Sequence, residues 1–361
     1  MNRNLKIALI VDQPSWTGIG VYAHQLYSLI KDYFEEVNLI YLGANIDNSK
    51  EYLDLPYIKH STSWIEYPYI IKENYKLFIN DKRFKDYLKH YLGASYFPFA
   101  IKEEDIVTIY DLIKDDILRS VKFGLRPFIT SILRNLTRKK VIKIIKNKPT
   151  FITISKKVAK DILNLTGAQA YVIYPWIDED RFKPRNEEEI KNLLHIDLKT
   201  KYILSVGNNR PNKRIDLIRK FADSLPSDWK IMKIGEKIIS NKIENLGIVK
   251  DQLYPYYFNA SKAYLHLSDD EGFGIPLLES IGSGIPIIAR NNEINREIIS
   301  DYGIFISDDE INKIAIKDIL NKIENENYKS NLLEIRKKKL LWKEEAKKKY
   351  IKIYENKFMN L

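Results

Sequence analysis

Short apolar runs rich in β-branched residues recur along this chain, each followed by a longer segment of helical period. That alternation is the pattern of a parallel sheet flanked by helices. Candidate strands are Lys6 to Val11, Val37 to Leu42, Ile106 to Tyr110, Phe151 to Ser155 and Tyr171 to Ile173. A second set follows at Tyr202 to Val206, Lys230 to Ile234, Ala263 to Leu267, Ile285 to Ala289 and Gly303 to Ile306. Two sets of five predict an α/β protein with two doubly wound, Rossmann-like domains. A length of 361 residues agrees with two domains at roughly 100 to 200 residues each. The join is expected in Tyr174 to Pro184, where two prolines stop regular pairing. The expected organisation is 1–175, 176–335, and a basic carboxyl-terminal helix over 336–361 that returns to the first domain. Ligands of doubly wound sheets collect at the carboxyl ends of the strands, so two such domains facing each other predict an interdomain cleft.

Composition narrows the function classes. A hydrophobic fraction of 45% is enough to bury a core and argues against disorder. No cysteine is present, which removes disulfides, thiolate metal sites and cysteine nucleophiles together and makes a cytoplasmic setting the simple expectation. The apolar run Ile7 to Val11 is too short for the core of a signal peptide and reads as a first strand. Lys or Asp interrupts every later apolar run, so any membrane contact is expected to be peripheral.

Three loops carry the chemistry. After the first strand comes Ser15-Trp16-Thr17-Gly18-Ile19-Gly20-Val21-Tyr22, where Gly18 and Gly20 allow close backbone approach at a helix start that attracts anions. A plain tight turn between strand and helix explains the same residues. The second loop is Leu267 to Pro286, in which Glu271 precedes a Gly272-Phe273-Gly274 turn and Glu279 lies eight positions on. One carboxylate can then hydrogen-bond a sugar and the other a ribose, with helix-start amides between them for a diphosphate. Two solvated glutamates around a turn is the plainer alternative. Third, Val206-Gly207-Asn208-Asn209-Arg210-Pro211-Asn212-Lys213 brings cations to the end of a strand.

The run from Glu271 to Glu279 is an E-x7-E motif and resembles the donor-site signature of the glycosyltransferase family 4 type, retaining enzymes of the GT-B fold (glycosyl transferases group 1). Val206 to Lys213 is similar to that family's basic phosphate loop, Tyr174 to Pro184 to its connector, and Gly18-Ile19-Gly20 to its amino-terminal glycine loop. The resemblance implies a hexosyltransferase-like enzyme that uses a UDP- or GDP-linked sugar as co-substrate and needs no metal or other cofactor. It further implies that Glu271 meets the donor sugar, that Gly272, Phe273, Gly274 and Ile275 line the sugar and diphosphate, and that Glu279 binds the ribose. Lys213 and Arg210 would neutralise the leaving diphosphate. Two departures stand out: Asn208 follows the glycine where the family often has arginine, and Tyr110-Asp111 stands where many relatives have His-Asp. Tyr110 keeps a hydroxyl donor there.

None of the five histidines reads as catalytic, His266 being placed inside a strand as a core residue. Asp178 and Asp180 have the spacing of a metal-nucleotide pair but fall in the connector. Residues 119–148 hold ten cations and no acid, with Phe128, Ile129, Ile132, Leu133 and Leu136 at helical spacing. Such a surface suits anionic lipid on the inner face of a membrane, could take nucleic acid, or is a set of helices packed on their own sheet with solvated lysines. The acceptor, whether glycan, lipid or protein, is not legible. A different GT-B enzyme, such as an epimerase or phosphorylase, also fits these motifs, as does a binding protein without catalysis.

Overall fold

The computed structural model describes residues 4–15, 17–43, 52–56, 58–59, 67–93, 101–112, 143–144, 146–196, 199–300, 303–311 and 313–359. The chain divides into two compact units: one built from the described residues up to Pro175 together with the last helix from Glu344 on, the other from Trp176 to Lys343. Most of the basic window 119–148 lies outside the described residues.

The first unit is a six-stranded sheet of β1 (Lys6–Val11), β2 (Glu36–Tyr41), β3 (Leu88–Leu92), β4 (Ile106–Ile109), β5 (Thr150–Thr153) and β6 (Tyr171–Val172) in the order β2-β1-β3-β4-β5-β6. All five pairings are parallel. Helices α1 (Gly18–Ile30), α2 (Tyr67–Ile79) and α3 (Lys156–Thr166) accompany them. Local signals set the ends of α3: Ser155 caps it by accepting from the Val158 amide, and Gly167 ends it in the left-handed region at φ 73°.

β3 is absent from the expected strands because its sequence, Leu-Lys-His-Tyr-Leu, does not look apolar. The structure nevertheless buries His90 completely and gives both ring nitrogens a partner. Nδ1 meets the Tyr354 hydroxyl at 2.7 Å and Nε2 the Thr108 hydroxyl at 2.8 Å. Burial without a charged neighbour holds this imidazole down at about 3, so it is neutral.

The second unit repeats the design with β7 (Lys201–Gly207), β8 (Trp229–Gly235), β9 (Ile243–Gly247), β10 (Ala263–His266), β11 (Ile287–Arg290) and β12 (Ile304–Ile306), again all parallel, in the order β12-β11-β10-β7-β8-β9. β9 is the other strand missing from the expectation. It is an edge strand reading Ile-Glu-Asn-Leu-Gly, and mostly half-buried, so no apolar run announces it. Helices α4 (Glu187–Leu194), α5 (Ile215–Asp223), α6 (Tyr254–Asn259), α7 (Ile275–Ser283), α8 (Glu293–Ile299), α9 (Lys313–Glu324) and α10 (Glu326–Leu340) connect and cover the sheet. The expected connector is firmly part of this unit: Trp176, Ile177 and Phe182 are buried. A side-chain carbon on Gly282 of α7 would come within 2.7 Å of Ile177 and 2.9 Å of Phe182, so the connector presses on the helix backbone and fixes where α7 lies.

The lysine-rich carboxyl end is two helices, α10 and α11 (Trp342–Met359), parted at Leu341. From Glu344 on, α11 belongs to the first unit. Tyr350 and Tyr354, one turn apart, are fully buried and stacked at 5.8 Å. The Tyr350 hydroxyl pairs with that of Tyr22 and the Tyr354 hydroxyl with His90. At the rim, Lys349 donates to the Val172 carbonyl and Lys357 to that of Glu103. Because a buried polar atom stripped of its partner costs about 1–3 kcal/mol, Tyr354→Phe should lower the unfolding free energy of the first unit, read from urea denaturation, by that much. Tyr33→Phe, which removes a surface bond to Glu355, should cost under about 0.5 kcal/mol. Equal effects of the two changes would show that the His90 contact does not anchor the helix.

Candidate functional site

β7 and β8 end on glycines whose backbones touch. Gly207 has φ 136° and Gly235 φ 102°, and a side-chain carbon on Gly235 would fall 2.3 Å from the Gly207 carbonyl oxygen. Only glycine fits there. Beyond Gly207 the chain crosses Asn208 to Arg210, makes a single 3₁₀ turn over Pro211–Lys213, and enters α5 through Arg214, held left-handed at φ 50°. This path folds Lys213 back over the strand end. Its Cε and Nζ lie 3.8 and 4.0 Å from where a Gly207 Cβ would stand.

The loop after β10 meets this turn. The Asp269 amide donates to the Asn212 carbonyl at 2.8 Å, and the Asn212 side chain returns a bond to the Asp270 carbonyl at 3.0 Å. These two bonds bring Glu271 onto Lys213, with which it forms a partly buried ion pair. Burial pushes the Glu271 carboxyl up. Lys213 and His266, with hydrogen bonds from Lys213 and Ser268, outweigh that effect and hold it at about 2, so it is ionised at neutral pH. A second charge cluster ties the neighbouring strand ends. Arg214 reaches Asp269 and Asp308, each at 3.0 Å, and Arg290 pairs with the same two aspartates. Loops after β7, β10, β11 and β12 are thereby joined at one edge of the sheet.

Glu271 runs into Gly272, buried Phe273 and Gly274, which at φ 89° starts α7 with no side-chain cap. The first helical residue, Ile275, precedes Pro276, so the helix opens with few amides and no acid at its positive end. Glu279 lies one turn on and accepts from the Tyr254 hydroxyl at 2.7 Å. Burial raises its carboxyl to about 7 against that bond and the attraction of Arg181. Two carboxylates eight residues apart are thus driven in opposite directions, because among the described residues only Glu271 has a cation in contact.

The second unit therefore brings together Lys213, Glu271, Gly272, Phe273, Gly274, Ile275 and Glu279. Arg210 caps the turn from an exposed position, its carbonyl accepting from the Lys213 amide at 2.9 Å. Gly18, Gly20 and Tyr110 lie in the other unit. Gly20 serves its turn: its amide donates to the capping Thr17 hydroxyl at 3.1 Å, and a Cβ there would lie 2.2 Å from the Pro14 carbonyl. Tyr110 packs edge-on to Tyr22 at 5.6 Å, and its buried hydroxyl has no hydrogen-bond partner among the described residues. Asp178 accepts from the Arg181 amide and so caps a turn of the connector. Among the described residues no cluster of three or more metal-binding side chains occurs, and no helix is long and apolar enough to cross a membrane.

Sequence reasoning missed several residues here. Asn212, Arg214 and Arg290 hold the loops, and Tyr254 holds Glu279. Lys233, one position before the end of the apolar part of β8, is 2% exposed, and a cation inside an apolar run is the signal that could have flagged it. An ammonium beside an ionised carboxylate, fronted by bare glycine backbone and a helix start, can hold a phosphate and accept from hydroxyls at the same place.

Known proteins resemble part of this chain in sequence and nearly all of it in fold. Residues 186–349 match the family described as glycosyl transferases group 1. A curated relative, the O-antigen chain mannosyltransferase B of Escherichia coli, is 24% identical over 161 residues, 45% of this chain and 39% of that protein. The chain thus spans less than half the length of the curated relatives it matches. Among solved structures, sucrose-phosphate synthase from Thermosynechococcus elongatus aligns with a TM-score of 0.74 at 16% identity, over 99% of this chain and 100% of that one. HepE of Anabaena, solved with UDP and glucose, aligns with a TM-score of 0.70 at 14% identity, over 96% of this chain and 99% of that one. The chain has the two-sheet fold of the GT-B type, and the stretch 186–349 of its carboxyl-terminal half is similar to the glycosyl transferases group 1 family.

Proposed function

We propose that this protein is a retaining glycosyltransferase that moves a hexose from a nucleoside diphosphate sugar to an acceptor hydroxyl. The observation that carries the reading is the Lys213–Glu271 pair at the carboxyl ends of β7 and β10, directly ahead of the Gly272-Phe273-Gly274 turn and α7. In the reaction the bond from the anomeric carbon to the diphosphate breaks and the acceptor oxygen bonds to the same carbon on the same face. The acceptor proton passes to an oxygen of the leaving phosphate. Glu271, kept ionised, accepts from hydroxyls of the donor sugar. Lys213 supplies fixed positive charge where negative charge grows on the leaving group, with Arg210 at the rim and the backbone of Gly272 to Ile275 alongside. Glu279 receives the ribose hydroxyls. Tyr110 is assigned the place of the family's histidine, and Gly18 and Gly20 shape the first turn of its unit.

The relative's name supports a mannosyl donor, and the HepE complex supports a UDP-linked one. GDP-mannose and UDP-glucose are therefore the first donors to screen. The acceptor is proposed to be a glycan or a lipid-linked glycan. Contact with anionic membrane is assigned to the basic window 119–148.

Transfer should be unaffected by EDTA, because no step is routed through a metal. Glu271→Ala and Lys213→Ala should each lower the rate by about 10² to 10³ while leaving the melting temperature within a few degrees. Near-normal turnover in both would overturn the donor-site assignment.

Glu279→Gln separates binding from chemistry. It should weaken nucleotide binding more than it slows bound-state turnover, and it has a pH signature. An acid whose folded value is raised to about 7 loses stability as pH climbs from about 4.5 to 7, since the folded state then binds more protons than the unfolded one. The melting temperature of Glu279→Gln should accordingly rise relative to the parent over that interval and match it near pH 4. Parallel pH profiles would refute the raised value.

For the basic window, binding to vesicles containing acidic lipid should fall as salt rises, and Arg138, Lys139, Lys140 and Lys143 changed together to Gln should weaken it without altering nucleotide binding. Binding that ignores lipid charge would leave the window with no membrane role.

A further inference from the structure

Lys233 has no part in the roles above, yet it is the most deeply buried cation of the second unit's described residues. Its strand neighbours Ile231, Met232 and Ile234 are apolar, and its register partners on β7 and β9, Ser205 and Asn245, carry no charge. The ammonium donates to the Gly207 carbonyl and, at 2.9 Å, to that of Ile234. Gly207 O also accepts from the Glu236 amide at 3.3 Å. Two parallel strands thus end with their carbonyl dipoles turned to one spot, and Lys213 lies over that same spot. A methionine would fill this volume with no charge to desolvate, and a buried ammonium retained against that penalty is unexplained by packing.

We propose that Lys233 is a second cation of the phosphate loop, cancelling the strand-end carbonyl dipoles and adding to the field of Lys213, so that it sets affinity for the phosphate charge of the donor and not for its nucleoside. The inference rests on the nucleotide-sugar reading. Lys233 acts through Gly207 and through its field, which makes it a positioning residue. Burial first, then the neighbouring Lys213, pull its ammonium down to about 8 against the opposing Glu236 carboxylate, and an arriving anion favours the charged form.

The test uses the full chain and calorimetric titration with UDP and GDP, with UMP and GMP, and with uridine and guanosine. Two neutral replacements are compared. Lys233→Met removes charge and hydrogen bonds; Lys233→Gln keeps an amide that can still donate to the carbonyls. Both should lose about tenfold or more in affinity for the diphosphate that the parent binds, less for the monophosphate and none for the nucleoside. Lys233→Gln, which keeps a donor for the two carbonyls, should melt near the parent, whereas Lys233→Met, which leaves them without that donor, should melt lower. Parent-like diphosphate affinity in Lys233→Gln, or an equal loss for nucleoside and diphosphate, would show that the lysine only props the loop and would overturn the inference. A parent protein that binds neither diphosphate defeats the transferase reading and this one with it, whereas binding by the parent with unchanged variants defeats this one alone. Should Lys233→Met fail to fold, Lys233→Gln decides the matter by itself.

Discussion

An ammonium touching a carboxylate at a protein surface is worth about 0–1 kcal/mol, because water screens the pair and two long side chains must be held still. The Lys213–Glu271 contact escapes both penalties. Its side chains are 24% and 14% exposed, and neither has to be held by the other, since the backbones beneath them are already joined through Asn212. A preorganised pair of this kind offers a ligand two things together: fixed positive charge, and a carboxylate that stays ionised as water leaves. It also sets a limit. The two groups satisfy each other, so any ligand that uses one of them has to replace part of their contact.

What keeps the pair in place is the wider edge of the sheet. Four loops converge there, and converging loops scatter unless something ties them. Arg214, strained into the left-handed region where an ordinary side chain costs about 1 kcal/mol, is the tie. Its guanidinium joins Asp269 and Asp308, and Arg290 closes the square from β11. Arginine suits this work because its planar fork can serve two carboxylates from one position. From the other side, Ile177 and Phe182 bear on Gly282 and settle α7 against the sheet. Glu271 and the start of α7 are therefore located by different contacts, so a change in one need not shift the other.

Legibility in the sequence followed chemistry closely. Strands such as Ile7 to Val11 or Ile203 to Val206 declare themselves because a parallel strand buried on both faces must be apolar. β3 stayed hidden because His90 is neutral and doubly bonded inside the core, a state no pattern of hydrophobicity reports. β9 stayed hidden because an edge strand has only half of the burial that makes strands visible. The glycine turn and Glu271 were legible since those residue types at that spacing have few other uses. Asn212, Arg214, Tyr254 and Arg290 were not, because each acts through a partner remote in sequence: 25 positions separate Tyr254 from Glu279, and 94 separate Arg214 from Asp308.

The two carboxylates of the site show how far one short segment can diversify its electrostatics. Glu271 and Glu279 share a chain, a loop–helix junction and similar depth. Contact with Lys213 keeps the first charged, while the second has a tyrosine hydroxyl at contact distance and drifts toward neutrality. A neutral or nearly neutral Glu279 can both donate and accept, whereas an anionic Glu271 can only accept and lies where a cation is already supplied. Exchanging the two environments would leave Glu271 tending to neutrality and Glu279 charged beside a cation. The placement of Lys213, rather than the presence of two glutamates, is therefore what makes the segment asymmetric and gives the site a direction.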